Sequence, residues 1–276
     1  MMHRLGVVLG AAHLGPTVVV TLVTTVLAAV SGLEPWRVAV VAVMMLANQL
    51  SIGWSNDAID ARRDSEAQRA DKPIARGDVD ARTIGALAIG AAVLALLISL
   101  LLGPALALVH LVALGSGWAY NLGLKRTIVA TGCYMLSFGL LPLIVTLARE
   151  DPRPAAWWAV AMGALLGLAA HFANVLPDLD DDRRHGIRSL PHVLGARPAG
   201  AIALAALAVV GVLGAVGPDE LAVLSLVGAL ATVAVLFAGV LVLVRAPESR
   251  ALFRIIMAAA IAAVVTLAGA AGSFVV

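Results

Sequence analysis

Apolar residues run in long blocks along this chain, and charged ones are confined to the short segments between the blocks. From Thr83 to Leu124 no side chain is charged. Two membrane-crossing helices of about 20 residues each would use that length, with Gly103-Pro104 as the turn between them. Further uncharged blocks cover 5–33, 38–56, 127–148, 154–177, 198–218, 221–244 and 255–276, so nine spans are predicted. None of them alternates apolar and polar positions with a period of two, and Ala, Leu and Val dominate. Helices are therefore expected rather than barrel strands. The expected fold class is all-α, an integral membrane bundle of nine transmembrane helices forming a single domain over residues 1–276.

Composition agrees with the pattern. Hydrophobic residues make up 61% of the chain and charged ones 13%, with a mean hydropathy of +0.99, well outside the range of soluble domains. Orientation follows from the loops. With Arg4 cytoplasmic, that side also collects Arg62, Arg63, Arg69, Lys72, Arg76, Arg82, Lys125, Arg126, Arg183, Arg184, Arg188, Arg197, Arg245, Arg250 and Arg254, while Arg37, Arg149 and Arg153 lie opposite. Sixteen of the nineteen Lys and Arg thus fall on one side, which predicts a multi-pass protein of the inner (plasma) membrane with its N-terminus cytoplasmic and its C-terminus outside. The net charge of +2 then reports topology, and no nucleic-acid partner is expected. The first block is too long for a signal-peptide core and reads as a retained helix. Cys133 stands alone in a span, which excludes a disulfide framework and leaves it a packing role. Trp36, Trp157 and Trp158 fall at outer span ends and read as an interfacial aromatic belt.

Two charged segments break this economy. In "WSNDAIDARRDSEAQRADKPIARG" (54–77), Asn56, Asp60 and Asp64 are four residues apart and Asp57 is three before Asp60. If the second span stays helical, these side chains share one face. Asn48 lies eight residues earlier, inside the predicted membrane, where a polar residue is by default a functional hypothesis. At the end of the sixth span, "HFANVLPDLDDDRRHG" sets Asp178 and Asp182 at i and i+4. Carboxylate oxygens at helical spacing, with no Cys and little His nearby, suit Mg²⁺ better than zinc. Bases follow both clusters, and Lys125-Arg126 come from the loop after the fourth span. Acids to hold metal, with metal and bases to hold phosphate, predict a diphosphate ligand whose organic part is a lipid tail among the helices.

"NDAIDARRD" resembles the first aspartate-rich motif, NDxxDxxxD, of the UbiA superfamily of intramembrane prenyltransferases. "DLDDDRRHGIRSLPHVLG" resembles its second, through Asp178, Asp182, Gly186, Ser189, Leu190 and Pro191. "YNLGLKRT" and "RADKPIARG" are similar to its basic loops, and the likeness runs the length of the chain in order. It implies nine helices in a U around a central cavity open to lipid, with Asp-rich cytoplasmic loops at about 56–82 and 178–197. Two Mg²⁺ ions would bind an isoprenyl diphosphate, whose allylic cation an acceptor, usually aromatic, captures. By the same resemblance Asp57, Asp60 and Asp64 would bind one metal with Asn56 assisting, and Asp178 and Asp182 the other. Catalysis would rest on Asp60, Asp64, Asp178 and Asp182. Asn56, Arg69, Lys72 and Lys125 would bind substrate, and Tyr120 and Asn121 would line its cavity. The first span offers His13 in "AAHLGPT" where ubiquinone-type members offer an Arg, which speaks against 4-hydroxybenzoate.

Plainer readings stand beside these. Asp71, Asp180 and Asp181 read as solvated loop charges, His110 as a helix-packing residue, and Trp54 as a packing or stacking side chain. His13, His171 and Asn174 read as structural hydrogen bonders or substrate contacts. A cyclase that quenches the cation internally and a phosphoribosyl transfer to a lipid phosphate use the same motifs. A cation transporter would leave the bases unexplained. The charge asymmetry is tested by cysteine labelling with an impermeant reagent after Cys133 is replaced. Asp151→Cys is expected to react from outside and Lys72→Cys only from the cytoplasm; the opposite pattern would reverse the topology.

Overall fold

The computed structural model describes residues 2–66, 68, 69, 72–179, 182, 186–218, 222–247 and 249–275, with side chains from residue 6. Asp71, Asp180, Asp181, Arg183 and Arg184 lie outside the described residues. The helices are α1 (Met2–Gly10), α2 (Leu14–Val30), α3 (Pro35–Glu66), α4 (Ala81–Leu100), α5 (Pro104–Leu122), α6 (Ala130–Leu147), α7 (Trp157–Val175), the short α8 (Leu190–Leu194), α9 (Ala196–Val216), α10 (Val223–Arg245) and α11 (Arg250–Gly269). Among the described residues, eight helices are long and apolar enough to cross a membrane, and α2, at 17 residues, is a shorter ninth. Among the described residues no strand forms; Ala155 and Val275 make an isolated bridge.

Each long helix packs on its sequence neighbour, and α11 returns to touch α2, so the helices close into a ring. Large apolar side chains such as Leu97, Leu108, Val233 and Phe237 point outward, as a lipid-facing surface requires. Packing on the inside depends on close backbone approach, because lipid supplies little hydrophobic drive between helices. A Cβ on Gly163 would stand 2.5 Å from the Phe138 carbonyl oxygen, and one on Gly167 would stand 2.4 Å from that of Tyr134. The spacing of four puts both on the face of α7 that meets α6.

The predicted first span is not one helix. The chain breaks at 11–13, with His13 in the left-handed region at φ 50°, and α2 starts after it. Broken backbone at this depth needs internal partners. The Ala12 amide donates to Leu9 O at 3.0 Å, and Thr17 Oγ1 donates to Ala12 O at 2.8 Å. Gly53 makes room, since a Cβ there would lie 2.3 Å from Ala12 O. The break seats His13 against α3.

Helix α3 runs 32 residues, about 48 Å, and so carries its last turns past a hydrocarbon core of about 30 Å. The acid-bearing turns of 56–64 are helical, as the spacing required. At the opposite end of the bundle, Arg37 Nη1 donates to the carbonyls of Ala148 (3.0 Å) and Arg149 (3.3 Å). Arg149 Nη1 donates to Ser31 O at 2.7 Å. Two of the three basic residues that oppose the charge asymmetry therefore clamp loops together. Trp36 and Trp157 are exposed, as a belt requires, but Trp158 is buried against Phe274 with ring centroids 5.7 Å apart. Its belt reading is corrected: the C-terminal segment folds over it. Trp54 is buried and donates Nε1–H to Val8 O at 2.9 Å, and His110 is fully buried.

Replacing Gly163 with Leu is expected to force α6 and α7 apart and cost about 1–3 kcal/mol, read as a lower melting temperature of the detergent-solubilised protein. Gly90 has nothing within 4 Å of its Cβ position, so Gly90→Ala should leave that temperature unchanged or raise it slightly.

Candidate active site

Helix α3 turns a row of acids inward. Asp57, Asp60 and Asp64 are 2%, 4% and 4% exposed, whereas Arg62 on the same turns is open to solvent. Ionised carboxylates in such a row repel one another and require counter-charge. Lys72 Nζ lies 2.6 Å from Asp57 Oδ1. His13 Nε2 is 2.7 Å from the same oxygen and 2.8 Å from the Lys72 nitrogen. Lys125 Nζ donates to Asp60 Oδ2 at 2.6 Å. Arg63 Nη2 donates to that oxygen at 2.8 Å and reaches Asp64 Oδ1 at 3.5 Å.

These cations come from three places in the chain. Lys72 follows a turn in which its amide donates to Arg69 O and the Arg69 amide donates to Asp64 O, both at 3.0 Å. Arg69 itself is exposed. Lys125 sits on a single 3₁₀ turn, Leu124–Arg126, after α5. Burial pulls its ammonium below the usual lysine range, a pull that Asp60 opposes.

Asn121 fixes α5 to α3. Its Nδ2 donates to Ile52 O at 2.9 Å and to Ser55 Oγ at 2.8 Å, and its Oδ1 accepts from Asn56 Nδ2 at 3.0 Å. Beside it an aromatic wall crosses from α5 to α7. Tyr120 meets Tyr134 edge to face with centroids 5.3 Å apart, Tyr134 meets His171 at 4.9 Å, and Phe138 stacks on Tyr134 at 6.2 Å. His171 is buried; its Nδ1 pairs with Thr131 Oγ1 at 3.1 Å, and Nε2 has no partner among the described residues. Asn174 is exposed and reaches Tyr134 Oη at 3.5 Å.

The second acidic cluster follows α7, which gives way at Pro177 to a 3₁₀ turn, Leu176–Asp178. Asp178 is exposed and Asp182 half-buried. Asp182 Oδ2 lies 3.2 Å from His192 Nε2, whose Nδ1 is 2.7 Å from Ser189 Oγ. Burial raises the Asp182 pKa, and Asp178 adds to the rise. Among the described residues, no three His, Cys, Asp or Glu side chains converge tightly enough to hold a metal ion. The basic side chains stand between the acids.

Sequence reasoning did not find His192, Tyr134 or Thr131. His192 offered one signal, its place directly after the Ser-Leu-Pro turn. Tyr134 is one of only two tyrosines in the chain, but within a uniform apolar block nothing marks which way it faces.

The chain is 29% identical over 190 residues to the bacteriochlorophyll synthase 33 kDa chain of Cereibacter sphaeroides, a match covering 65% of this chain and 62% of that one. It therefore spans less than two thirds of that relative's length. A solved UbiA homologue from Aeropyrum pernix K1 superposes with a TM-score of 0.70 over 90% of this chain and 95% of that one, at 20% identity. A UbiA homologue from Archaeoglobus fulgidus bound to GPP and Mg²⁺ superposes with a TM-score of 0.66 over 96% of this chain and 99% of that one, at 12% identity. The structural likenesses show the same fold, and the model of the UbiA prenyltransferase family matches residues 17–262. Both aspartate motifs and the basic loops fall inside that match, and the chain belongs to the UbiA prenyltransferase family.

Proposed function

We propose that this protein transfers an isoprenyl group from an isoprenyl diphosphate to an acceptor, most naturally an aromatic one, in a Mg²⁺-dependent reaction at the cytoplasmic side of the inner membrane. The observation that carries the reading is the buried row of α3 carboxylates, answered by Lys72, Lys125 and Arg63 from outside the membrane-embedded part of the bundle. That pairing stores both halves of a metal–diphosphate site. The relative from Archaeoglobus fulgidus, bound to GPP and Mg²⁺, supports the ligand class.

The residues fit a hard dication. Their donor atoms are carboxylate oxygens, and Asp57 Oδ2 is buried with no hydrogen-bond partner among the described residues, an acceptor suited to a positive ligand. Asp57, Asp60 and Asp64 would hold one ion with Asn56 beside them, and Asp178 and Asp182 a second. Bound Mg²⁺ supplies charge neutralisation, letting a diphosphate approach carboxylates and leave as a stabilised anion.

The chain's own side chains do the rest. Lys72 and Lys125 are poised to exchange a carboxylate for a phosphate oxygen, a charge-assisted contact of similar strength. Arg69, exposed to solvent, would meet the diphosphate from the water side. Asn121 holds the wall of the site rigid by locking α5 to α3. Heterolysis of the allylic C–O bond leaves the electron pair on the diphosphate and a cation on carbon. Tyr120, Tyr134 and Phe138 exclude water from that carbon and offer it ring faces, so the acceptor forms the new bond and then gives up a proton.

Two sets of variants separate the roles. Asp60→Ala or Asp178→Ala is expected to abolish turnover in an intact, extractable protein, and excess EDTA to do the same to the wild type; full activity in EDTA would overturn the metal requirement. Lys72→Ala or Lys125→Ala should raise the apparent KM for the prenyl diphosphate roughly ten- to a hundred-fold at saturating Mg²⁺, from the loss of a charge-assisted contact worth about 1.5–3 kcal/mol. Asp64→Ala should mainly shift the Mg²⁺ titration. Normal diphosphate binding by the Lys variants would assign those charges to topology alone.

A further inference from the structure

A histidine stands directly behind the second acidic cluster, and the mechanism gives it no part. Gly186, in the left-handed region at φ 76°, turns the chain back after Asp182, and the Ile187 amide closes that turn on Asp182 O at 3.0 Å. The next amide, of Arg188, donates to Arg126 O at 3.3 Å, which ties the segment to the 3₁₀ turn that carries Lys125. Ser189 then opens α8, its carbonyl accepting from the amides of His192 at 3.0 Å and Val193 at 3.2 Å. The backbone on which His192 sits is thus fastened at both ends.

From that position the His192 ring joins a serine to an aspartate. Nε2 lies 3.2 Å from Asp182 Oδ2, and Nδ1 lies 2.7 Å from Ser189 Oγ. A carboxylate accepts, so Nε2 is the donor there; a hydroxyl both gives and takes, so Nδ1 is satisfied in either protonation state of the ring. Burial falls along the chain of contacts. Ser189 is 1% exposed, the His192 side chain 2% and that of Asp182 29%. The carboxyl group is therefore held from its buried side and open on the other. Among the described residues its Oδ1 has no hydrogen-bond partner.

Hydrogen bonds of this kind, made behind a carboxylate, fix the direction in which it can bind a metal. We propose that His192 is a positioning residue for Asp182, holding Oδ2 so that Oδ1 alone is offered to a divalent cation, and that this makes the second ion site select Mg²⁺ over Ca²⁺. The inference rests on the prenyl-transfer reading, in which Asp178 and Asp182 hold the second ion. Selectivity follows from the number of oxygens on offer. Mg²⁺ takes a few carboxylate oxygens, phosphate and water in a small octahedron, whereas Ca²⁺ takes six to eight oxygens and accepts bidentate carboxylates readily. With one oxygen engaged, Asp182 cannot bind a cation through both without breaking its bond to His192.

The test counts bound Mn²⁺ by electron paramagnetic resonance on the full chain in lipid nanodiscs, with a saturating non-ionisable thiolo analogue of geranyl diphosphate. Wild type is expected to bind two ions and Asp178→Ala to lose one, which identifies the second site. His192→Leu should weaken that ion alone by roughly ten- to a hundred-fold, as removal of a hydrogen bond behind a metal ligand does, and make Ca²⁺ a better competitor for it. His192→Gln sets an amide N–H in place of Nε2–H and should restore most of the affinity. Ser189→Ala is the milder variant, with an expected loss of roughly two- to ten-fold, and it decides the matter if His192→Leu does not fold. A merely structural role would weaken both ions and would not be rescued by glutamine. Wild-type affinity and Ca²⁺ preference at the second site in the Leu and Ala variants, or equal losses with Gln and Leu, would overturn the inference. A single ion in the wild type would remove the second ion from the proposed function and this inference with it, whereas two ions indifferent to His192 would remove the inference alone.

Discussion

Three carboxylates buried side by side on one helix set the terms for the rest of this molecule. Asp57, Asp60 and Asp64 are each almost fully buried, and ionised acids so placed are tolerable only with cations held against them. The chain delivers those cations from the loops: Lys72 after the turn that ends α3, Lys125 on a 3₁₀ turn after α5, and Arg63 from α3 itself. His13 joins because α2 begins late, behind a break in the backbone. The loops at this end of the bundle thus answer a charge requirement, while Ile74 and Val79 anchor the first of them on the apolar cluster around Trp54 and Ile84.

Elsewhere the constraint is the opposite one. With lipid outside, the helices gain little by hiding apolar surface, and contact comes from small residues that let backbones meet. Gly163 and Gly167 draw α7 onto α6, carrying His171 to Tyr134 and Thr131. Gly53 takes in the broken backbone at Ala12. Both close approaches end at the site: the first builds its aromatic wall, and the second places His13 beside Asp57.

Much of this was legible in the sequence, because charge is the strongest signal a membrane protein carries. The uncharged blocks locate the helices closely. Gly103-Pro104 falls between α4 and α5 as expected, and the spacing of Asn56, Asp57, Asp60 and Asp64 marks one face of a helix that does continue to Glu66. What stayed hidden depends on distant parts of the chain. The break at His13 lies in a block with no charge to flag it, and it is stabilised by Gly53 on another helix. Trp158 looked interfacial because Phe274, which covers it, is far along the chain. The acids announced themselves, but Lys125 is 65 residues from Asp60, and only folding pairs them. His110 read as a packing residue, and it is buried.

Lys72 and Lys125 pair with Asp57 and Asp60, which on the proposed reading would hold metal, so metal and diphosphate are expected to help each other bind. A diphosphate that draws Lys72 and Lys125 away frees oxygens for the cation, and linkage requires the effect to be reciprocal. The most direct test is a Mn²⁺ titration followed by electron paramagnetic resonance, with and without a saturating non-ionisable thiolo analogue of geranyl diphosphate. Mn²⁺ affinity is expected to rise roughly ten-fold or more with the analogue present, and the analogue's affinity to rise by the same factor with Mn²⁺. Mn²⁺ affinity unaffected by the analogue would contradict the account, because the aspartates would then be free metal ligands and their pairing with lysine incidental.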